Sequence, residues 1–191
     1  MADTNKIKYG LKSCYYAVIT ESGGVDTFGT PVALPGAVSL SLEAQGGEPS
    51  PFYADDIIYY NSPGSNGGYQ GDLELAYIPD AFRTAVLGDA TDKNSMIVED
   101  ADADPVRFAF LFEFHNDAKR TRHVMYNCTA SRPAVASNTK EETVEPQTET
   151  ITITAIPGTF GTRHIVKGKV TEGDTNYASF FSAVVSPDFT V

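Results

Sequence analysis

Three histidines offer the first chemistry to consider, because a histidine side chain can move a proton or bind a metal near neutral pH. His115, His123 and His164 have neither an HExxH arrangement nor another spacing typical of metal ligands. His115 and His123 fall on the two arms of one predicted hairpin, which leaves a cross-strand pair as an alternative. Their spacing favours polar surface residues, and we expect no metal site.

Two acidic clusters raise the alternative of a calcium site. Asp55 and Asp56 are adjacent, and Asp100, Asp102 and Asp104 alternate with alanine in the segment VEDADADP. Neither cluster has the glycine and terminal glutamate of an EF-hand loop, and alternating acids are more typical of a solvated turn. An enzyme that uses Asp55 and Asp56 is therefore the least favoured interpretation.

Other catalytic motifs are absent from the sequence. It contains no GxSxG, no GxxxxGK[ST] and no GxGxxG that opens a helix. Cys14 and Cys128 are isolated thiols without metal-ligand spacing, so we expect them to be reduced and buried as small apolar side chains. We predict a protein that is not an enzyme and has no catalytic residue, cofactor or metal.

Charge and hydropathy exclude two further classes of function. The chain of 191 residues has 14 Lys and Arg against 25 Asp and Glu, and its net charge of −11 opposes tight binding to nucleic acid phosphates. No apolar run approaches the roughly 18 residues of a membrane span, and the polar start MADTNKIKYGLK lacks a signal-peptide pattern. We expect one folded domain, residues 1–191, made in the cytoplasm and without membrane contact.

Strands dominate the predicted secondary structure. Residues 13–20 and 52–60 are rich in aromatic and β-branched side chains, which favour strands. Residues 37–44, 71–78 and 148–156 alternate polar with apolar side chains, as half-buried strands do. The polar faces of these three strands carry Ser39, Ser41, Glu43, Asp72, Glu74, Thr148, Thr150 and Thr152.

One helix is predicted near residues 79–88. Pro79 stands at its start, Asp80 lies in its first turn, and Gly88 ends it. Its apolar face, with Phe82 and Val86, should lie on a sheet. The strand faces expected to pack with it carry Val38, Leu40, Leu42, Leu73, Leu75 and Tyr77.

Residues 106–115 and 120–129 flank the polar turn sequence NDAK and predict a β-hairpin. Two registers are open. Glu113 faces Arg122 in one of them, and a slip of one residue places Phe112 there instead.

Three segments are predicted to lie outside the regular core. The loop of about 61–70 begins NSPGSNGG, which is too rich in turn formers for a strand. The N-terminal arm (1–12) is polar, and the C-terminal arm after Pro157 ends in either a short helix or a strand over 177–185. We expect the loop and the N-terminal arm to contact neighbouring copies rather than their own core. The loop residues assigned to that contact are Ser62, Pro63, Gly64, Ser65 and Asn66.

Several fragments, taken in order, resemble the major tail protein family of siphophages, whose members build non-contractile tail tubes. The fragments are NKIKYGLKSCYYAVI, FYADDIIYY, GYQGDLELAYIPDAFRTAVLG, LFEFHNDAKRTRHVMYNC and TKEETVEPQTETITITA. They cover most of residues 5–157. The resemblance implies a mainly β fold of two packed antiparallel β-sheets, sandwich-like or barrel-like, with one flanking α-helix.

The resemblance also implies an assembly. Hexameric rings would stack head to tail into a tail tube through which genome DNA leaves the capsid, passing without specific binding. The implied partners are other copies of the chain, the tape measure protein, and the tail terminator and distal tail proteins. The protein would be made in the bacterial host cytoplasm and reside in the virion tail. We expect the polar strand faces to line the lumen, where their carboxylates repel DNA.

Two alternative functions are also consistent with the sequence. One is a non-enzymatic β-sandwich module that binds a carbohydrate or a receptor through Tyr53, Tyr59, Tyr60 and Tyr69. The other is the tube subunit of a contractile tail or a related injection machine.

Overall fold

Antiparallel strands make up most of the described chain. In the computed structural model, which describes residues 4–139 and 146–189, strands account for 47% and helices for 4%. The fold class predicted from the sequence is therefore confirmed. The strands are β1 (Leu11–Ser22), β2 (Val25–Phe28), β3 (Val32–Ala33), β4 (Ala37–Gln45), β5 (Ser50–Ala54), β6 (Ile57–Ser62), β7 (Gly68–Leu75), β8 (Ala90–Thr91), β9 (Ile97–Val98), β10 (Phe108–Phe114), β11 (Thr121–Ala130), β12 (Glu149–Ala155), β13 (Gly158–Phe160), β14 (Arg163–Ile165) and β15 (Lys167–Thr171).

Nine of these strands form one sheet. Its order is β2-β1-β10-β11-β12-β7-β4, with β3 added to β1 and β15 added to β11. β10 and β11 are the predicted hairpin, and their register places Glu113 opposite Arg122, the first of the two alternatives. The pairs β5–β6, β8–β9 and β13–β14 are separate hairpins.

The large sheet curls so that its two ends approach each other where the chain passes from β3 to β4. β3 pairs with β1, and the Leu34 N–H donates a hydrogen bond to the Cys14 carbonyl at 2.8 Å. The chain then turns at Gly36 and enters β4, the strand at the opposite end of the sheet. The segment from β3 to β4 therefore joins the two ends and produces the barrel-like form.

The main core lies inside this curled sheet and includes the helix. The Phe82 ring packs edge-on against Tyr16 and Phe108, with ring centres 5.0 and 5.7 Å apart. Inward side chains of β7, β10, β11 and β12 complete the cluster. Cys14 and Cys128 lie buried in it as free thiols, as predicted, and burial raises the pKa of each to about 12.

The predicted helix is present, and it is short. α1 (Asp80–Phe82) continues as a π-helical turn, Arg83–Leu87, which ends at Gly88 in the left-handed region. The Glu149 carboxylate of β12 fastens this helix to the sheet. It accepts hydrogen bonds from the Ile78 N–H at 2.6 Å and from the Arg83 guanidinium at 2.8 Å.

Residues 174–189 cover the opposite face of β1, β10 and β11. The Arg122 guanidinium lies over the rings of Tyr177 and Phe181, 3.9 and 4.5 Å from their centres, and bonds to the buried Glu113 carboxylate at 2.7 Å. Phe180 is buried against the same face. Residues 177–185 form turns and irregular backbone, so both alternatives for them, a helix and a strand, are wrong.

Two residues predicted for the core are exposed instead. A bulge between Ala37 and Ser39 displaces Val38, which is 51% exposed, and gives the inward position to Ala37. β7 ends at Leu75, so Tyr77 no longer follows the strand alternation and is 58% exposed. A predicted alternation assumes an unbroken strand, and each bulge or strand end shifts its phase.

Gly71 is a position in β7 that admits no side chain. It pairs with Leu42 and Ile153, and a Cβ atom there would lie 1.8 Å from the Ser41 carbonyl oxygen. We predict that Gly71→Ala forces β4 away from β7 and lowers the free energy of unfolding by about 2 kcal/mol or more. Thermal unfolding should show a fall in Tm of about 4–8 °C.

Gly158→Ala is the matched control, because its Cβ would meet its nearest atom, in the Phe160 ring, at 3.4 Å. That variant should unfold close to the wild-type temperature. Equal Tm values for Gly71→Ala and the wild type would contradict the predicted clash.

Candidate functional site

β4, β7 and β12 lie side by side and combine the three predicted polar faces into one surface, here called the polar face. All eight residues predicted for it are on or beside these strands, and Thr148 directly precedes β12. The rows across the three strands are Ser39–Glu74–Thr150, Ser41–Asp72–Thr152 and Glu43–Gln70–Thr154.

Hydroxyl groups hold two carboxylates of the polar face in place. Thr148 Oγ1 donates to Glu74 Oε1 at 2.7 Å, and Ser39 Oγ donates to Glu74 Oε2 at 2.8 Å. Thr152 Oγ1 donates to Asp72 Oδ1 at 2.8 Å. Because hydrogen bonds to a carboxylate favour its charged form, those from Thr148 and Ser39 lower the pKa of Glu74. Two of the carboxylates on this face, Glu74 and Asp72, are therefore held in place by hydrogen bonds.

The sequences of β4, β7 and β12 contain no Lys, Arg or His. The carboxylates of the polar face therefore repel a polyanion, and its three strands carry no cationic side chain that would bind one. Within residues 4–139 and 146–189, no group of three His, Cys, Asp or Glu is placed to hold a metal.

A free strand edge adjoins the polar face. In the described chain β4 pairs with β7 along one side and ends the sheet. An unpaired edge of this kind carries N–H and C=O groups that can pair with another chain. β4 is thus able to extend the sheet into a neighbouring molecule.

A hairpin projects from the chain between β4 and β7. This hairpin (residues 46–67) is here called the arm, and it is distinct from the N-terminal and C-terminal arms. Its strands β5 and β6 pair only with each other among the described residues. Asp55 and Asp56 form its turn, both with left-handed φ values, 51° and 62°. The single strand predicted over 52–60 is therefore wrong, and the two aspartates serve as turn residues.

The arm is apolar on its surface. Monomeric proteins rarely expose a contiguous apolar patch of more than a few hundred Å². Aromatic side chains bury about 150–250 Å² each when covered, so the side chains of this arm amount to the area of a protein interface. Six of them are 58–72% exposed: Phe52, Tyr53, Ile57, Ile58, Tyr59 and Tyr60.

The loop residues predicted for an inter-subunit contact form the return from the arm to β7. The Gly47 N–H donates to Ser65 Oγ at 2.9 Å, and the Ser65 N–H donates to the Gly47 carbonyl at 3.2 Å. Ser62 ends β6, and the Asn66 side chain accepts a bond from the Gly68 N–H. These residues, with Pro63 and Gly64 between them, form the base of the arm.

The N-terminal arm is bound to its own domain, in contrast to the prediction. Asn5 Oδ1 accepts hydrogen bonds from the Ala118 and Lys119 N–H groups, and the Asp117 carboxylate accepts from Lys6 and Ile7. Residues 5–7 are thus hydrogen-bonded to the turn between β10 and β11. Residues 1–3 lie outside the described part of the chain.

The histidines are separate. The register places His123 opposite Phe112, on which its ring stacks, while His115 packs edge-on against Tyr9. The cross-strand histidine pair is therefore wrong. His164 lies in β14.

The four tyrosines proposed for a binding module do not share one strand pair. Tyr53, Tyr59 and Tyr60 are on the projecting arm. Tyr69 lies in β7, where its hydroxyl receives a hydrogen bond from Lys167 Nζ at 2.6 Å. Among the described residues, Tyr69 thus lies on a different strand pair from the three tyrosines of the arm.

No protein-family model matches this chain, and no curated protein sequence matches it either. Of the helical segments in the described residues, none combines the length and apolar character needed to cross a bilayer. The polar face, the β4 edge and the arm are the surfaces of the described chain that bear on function.

We predict that the arm drives self-association and contributes little to the fold. The triple substitution Tyr53→Ser, Ile58→Ser and Tyr60→Ser should change the free energy of unfolding by about 0.5 kcal/mol per site or less, because these side chains are exposed. Association measured by sedimentation velocity should be lost.

Val135→Ser is the control, because Val135 is fully exposed outside the arm. It should associate as the wild type does. Unchanged association of the triple variant would contradict a role for the arm.

Proposed function

We propose that this chain is a non-enzymatic structural subunit that builds the tail tube of a bacteriophage virion. Six copies close into a ring, rings stack head to tail, and genome DNA passes through the lumen. The observation that carries the proposal is the polar face, a continuous surface across β4, β7 and β12 whose strands contain carboxylates and hydroxyls but no cation.

Ring closure uses the free edge of β4. In a heterologous contact, this edge joins a different part of the next copy. Such a contact generates a closed ring when the rotations between successive copies add up to one full turn. The end of β11, residues 128–130, pairs with β12 and supplies a fourth strand beside the polar face. Six copies with four strands each give about 24 strands; at about 4.8 Å spacing and about 40° tilt the backbone diameter is ~50 Å. Side chains leave about 40 Å, which is wider than a DNA duplex.

The sign of the charge suits a conduit. A DNA duplex carries about one negative charge per 1.7 Å, and lysines or arginines in the wall would bind it with release of counterions. Glu43, Asp72 and Glu74 repeat around each ring and form a repulsive wall. DNA then moves without a specific binding site.

Stacking uses the arm. Its apolar side chains are covered when it lies against the next ring, so the same surface that is unfavourable in water becomes an interface. The tape measure, tail terminator and distal tail proteins enter as partners through the family resemblance. The virion tail is then the location of the assembled protein.

Negative-stain electron microscopy of the purified protein tests the assembly. Rings with a central channel, or tubes built from them, are the expected result over a series of protein and salt concentrations. A monodisperse monomer under all of these conditions would count against the proposal.

Reversing charge on the polar face tests the lumen. Glu43→Lys combined with Glu74→Lys should still give tubes, but these tubes should retain duplex DNA, more strongly at low salt because screening is weaker there. The measurement is DNA release from loaded tubes, or from virions carrying the variant, at several salt concentrations.

A double reversal outside the face, Asp89→Lys with Glu172→Lys, serves as the control and should release DNA normally. Normal release from the Glu43 and Glu74 variant at every salt concentration would show that the face does not line the lumen.

A further inference from the structure

The return of the arm to β7 contains an asparagine followed directly by a glycine. Asn66-Gly67 is the only Asn-Gly pair in the sequence, and Asn66 is exposed. The backbone nitrogen that follows an asparagine can attack the side-chain carbonyl carbon and form a five-membered succinimide. Glycine hinders this attack least, because it has no Cβ atom and its backbone is the most freely rotating. The local sequence therefore favours the reaction at Asn66.

Two hydrogen bonds act on the reacting groups in opposite directions. The Gly68 N–H donates to Asn66 Oδ1 at 3.1 Å, and a donor on this oxygen draws electron density from the carbon that is attacked. The Gly67 N–H donates to the Gln45 carbonyl at 2.7 Å. Because the Gly67 nitrogen must lose this proton in order to attack, the bond to Gln45 restrains the nucleophile. The fold thus slows a reaction that the sequence favours.

Two other exposed asparagines serve as internal references. Asn61 and Asn94 each precede a serine, whose Cβ atom hinders the attacking nitrogen. Asn61 is paired with Pro51 in the β5–β6 hairpin. The Asn94 side-chain amide donates to Asp92 Oδ2 at 3.1 Å. Both asparagines are therefore expected to react more slowly than Asn66.

The turn around Asn66 is packed tightly against the first residues of the arm. The Gly47 N–H donates to Ser65 Oγ at 2.9 Å, and the Ser65 N–H donates to the Gly47 carbonyl at 3.2 Å. A Cβ atom on Gly46 would lie 1.8 Å from the Ser65 carbonyl oxygen. An isoaspartate at residue 66 carries its side-chain methylene within the backbone, and this turn has no space for the longer chain. Such a residue would disrupt the bonds that hold the base of the arm together.

We propose that Asn66 is a site of spontaneous deamidation and that the hydrogen bond from Gly67 to the Gln45 carbonyl limits its rate. The Gly67 nitrogen loses its proton and bonds to the side-chain carbonyl carbon of Asn66. The bond from this carbon to the amide nitrogen breaks, and ammonia leaves with the proton. Water then opens the succinimide at one of its two carbonyls and leaves isoaspartate or aspartate. Either product adds one negative charge at the base of the arm.

Peptide mapping by mass spectrometry tests the site on the full chain, incubated at mildly alkaline pH because loss of the amide proton is easier there. The peptide that contains Asn66 should gain the mass difference between an amide and an acid, and chromatography should separate its isoaspartate form. Asn61 and Asn94, measured in the same digest, should be converted more slowly. The folded chain should react about fivefold or more slowly than the chain unfolded in urea, because the bond to Gln45 must first open.

Gly67→Ala is the matched variant, because it keeps Asn66 and adds only a methyl group beside the attacking nitrogen. The φ angle of Gly67 is not in the left-handed region, and its Cβ would meet the Gln45 carbonyl oxygen at 3.2 Å. Deamidation of Asn66 should slow severalfold in this variant. The comparison with the wild type is made in the unfolded chain, so it holds whether or not the variant folds.

Three results would overturn the proposal. The first is conversion of Asn61 or Asn94 ahead of Asn66 in the unfolded chain. The second is an unchanged rate in Gly67→Ala. The third is equal rates for the folded and unfolded wild-type chain, which would remove the role of the bond to Gln45.

The effect on assembly rests on the proposed function, whereas the modification itself does not. Wild-type protein converted by incubation should associate more weakly in sedimentation velocity than fresh protein. Asn66→Gln protein, which keeps an amide but would have to form a six-membered ring, should be unchanged by the same incubation. Equal association of converted and fresh protein would remove the effect on the arm. Conversion of Asn66 in a chain that never forms rings or tubes when fresh would keep the modification and remove the tube.

Discussion

The burial of one face of β4, β7 and β12 is the constraint on which the rest of the structure depends. Leu73, Leu75, Ile151 and Ile153 are fully buried around the helix. Each such side chain contributes about 1.5–3 kcal/mol when buried, so the four together are comparable to the whole free energy of unfolding of a domain, about 5–15 kcal/mol. A slip by one residue would bury the carboxylates of β7 instead, at a cost of several kcal/mol for each unpaired charge. The strand alternation therefore fixes the carboxylates on the outer face.

That arrangement leaves surfaces that one subunit does not satisfy alone. β4 has a free edge, and the arm exposes apolar side chains on a projecting hairpin. The first surface needs backbone hydrogen-bond partners and the second needs apolar area. Under the proposed function, a second copy of the chain supplies both. These two surfaces support the proposal that the protein is a building unit of a larger assembly.

Local sequence patterns identified the parts of the fold that depend on local chemistry. Alternation located β4, β7 and β12 and the eight residues of the polar face, and the Pro79 and Gly88 signals located the helix. Val38 was assigned wrongly because a bulge has no clear signal in the pattern. Asp55-Asp56 is a turn signal inside a run of aromatic and β-branched side chains, and the hairpin was missed because that run was interpreted as one continuous strand. The position of residues 174–189 depends on contacts such as that of Arg122 with Tyr177 and Phe181, which join distant parts of the chain.

In the proposed assembly, the polar face lines the channel of a closed ring. A cryo-electron microscopy map of the assembled protein at side-chain resolution tests it directly. We expect a hollow ring in which Glu43, Asp72 and Glu74 of every copy face a channel about 40 Å wide, with β4 paired to the neighbouring copy. A ring in which these carboxylates lie on the outer surface, or a channel wall formed by other strands, would contradict it.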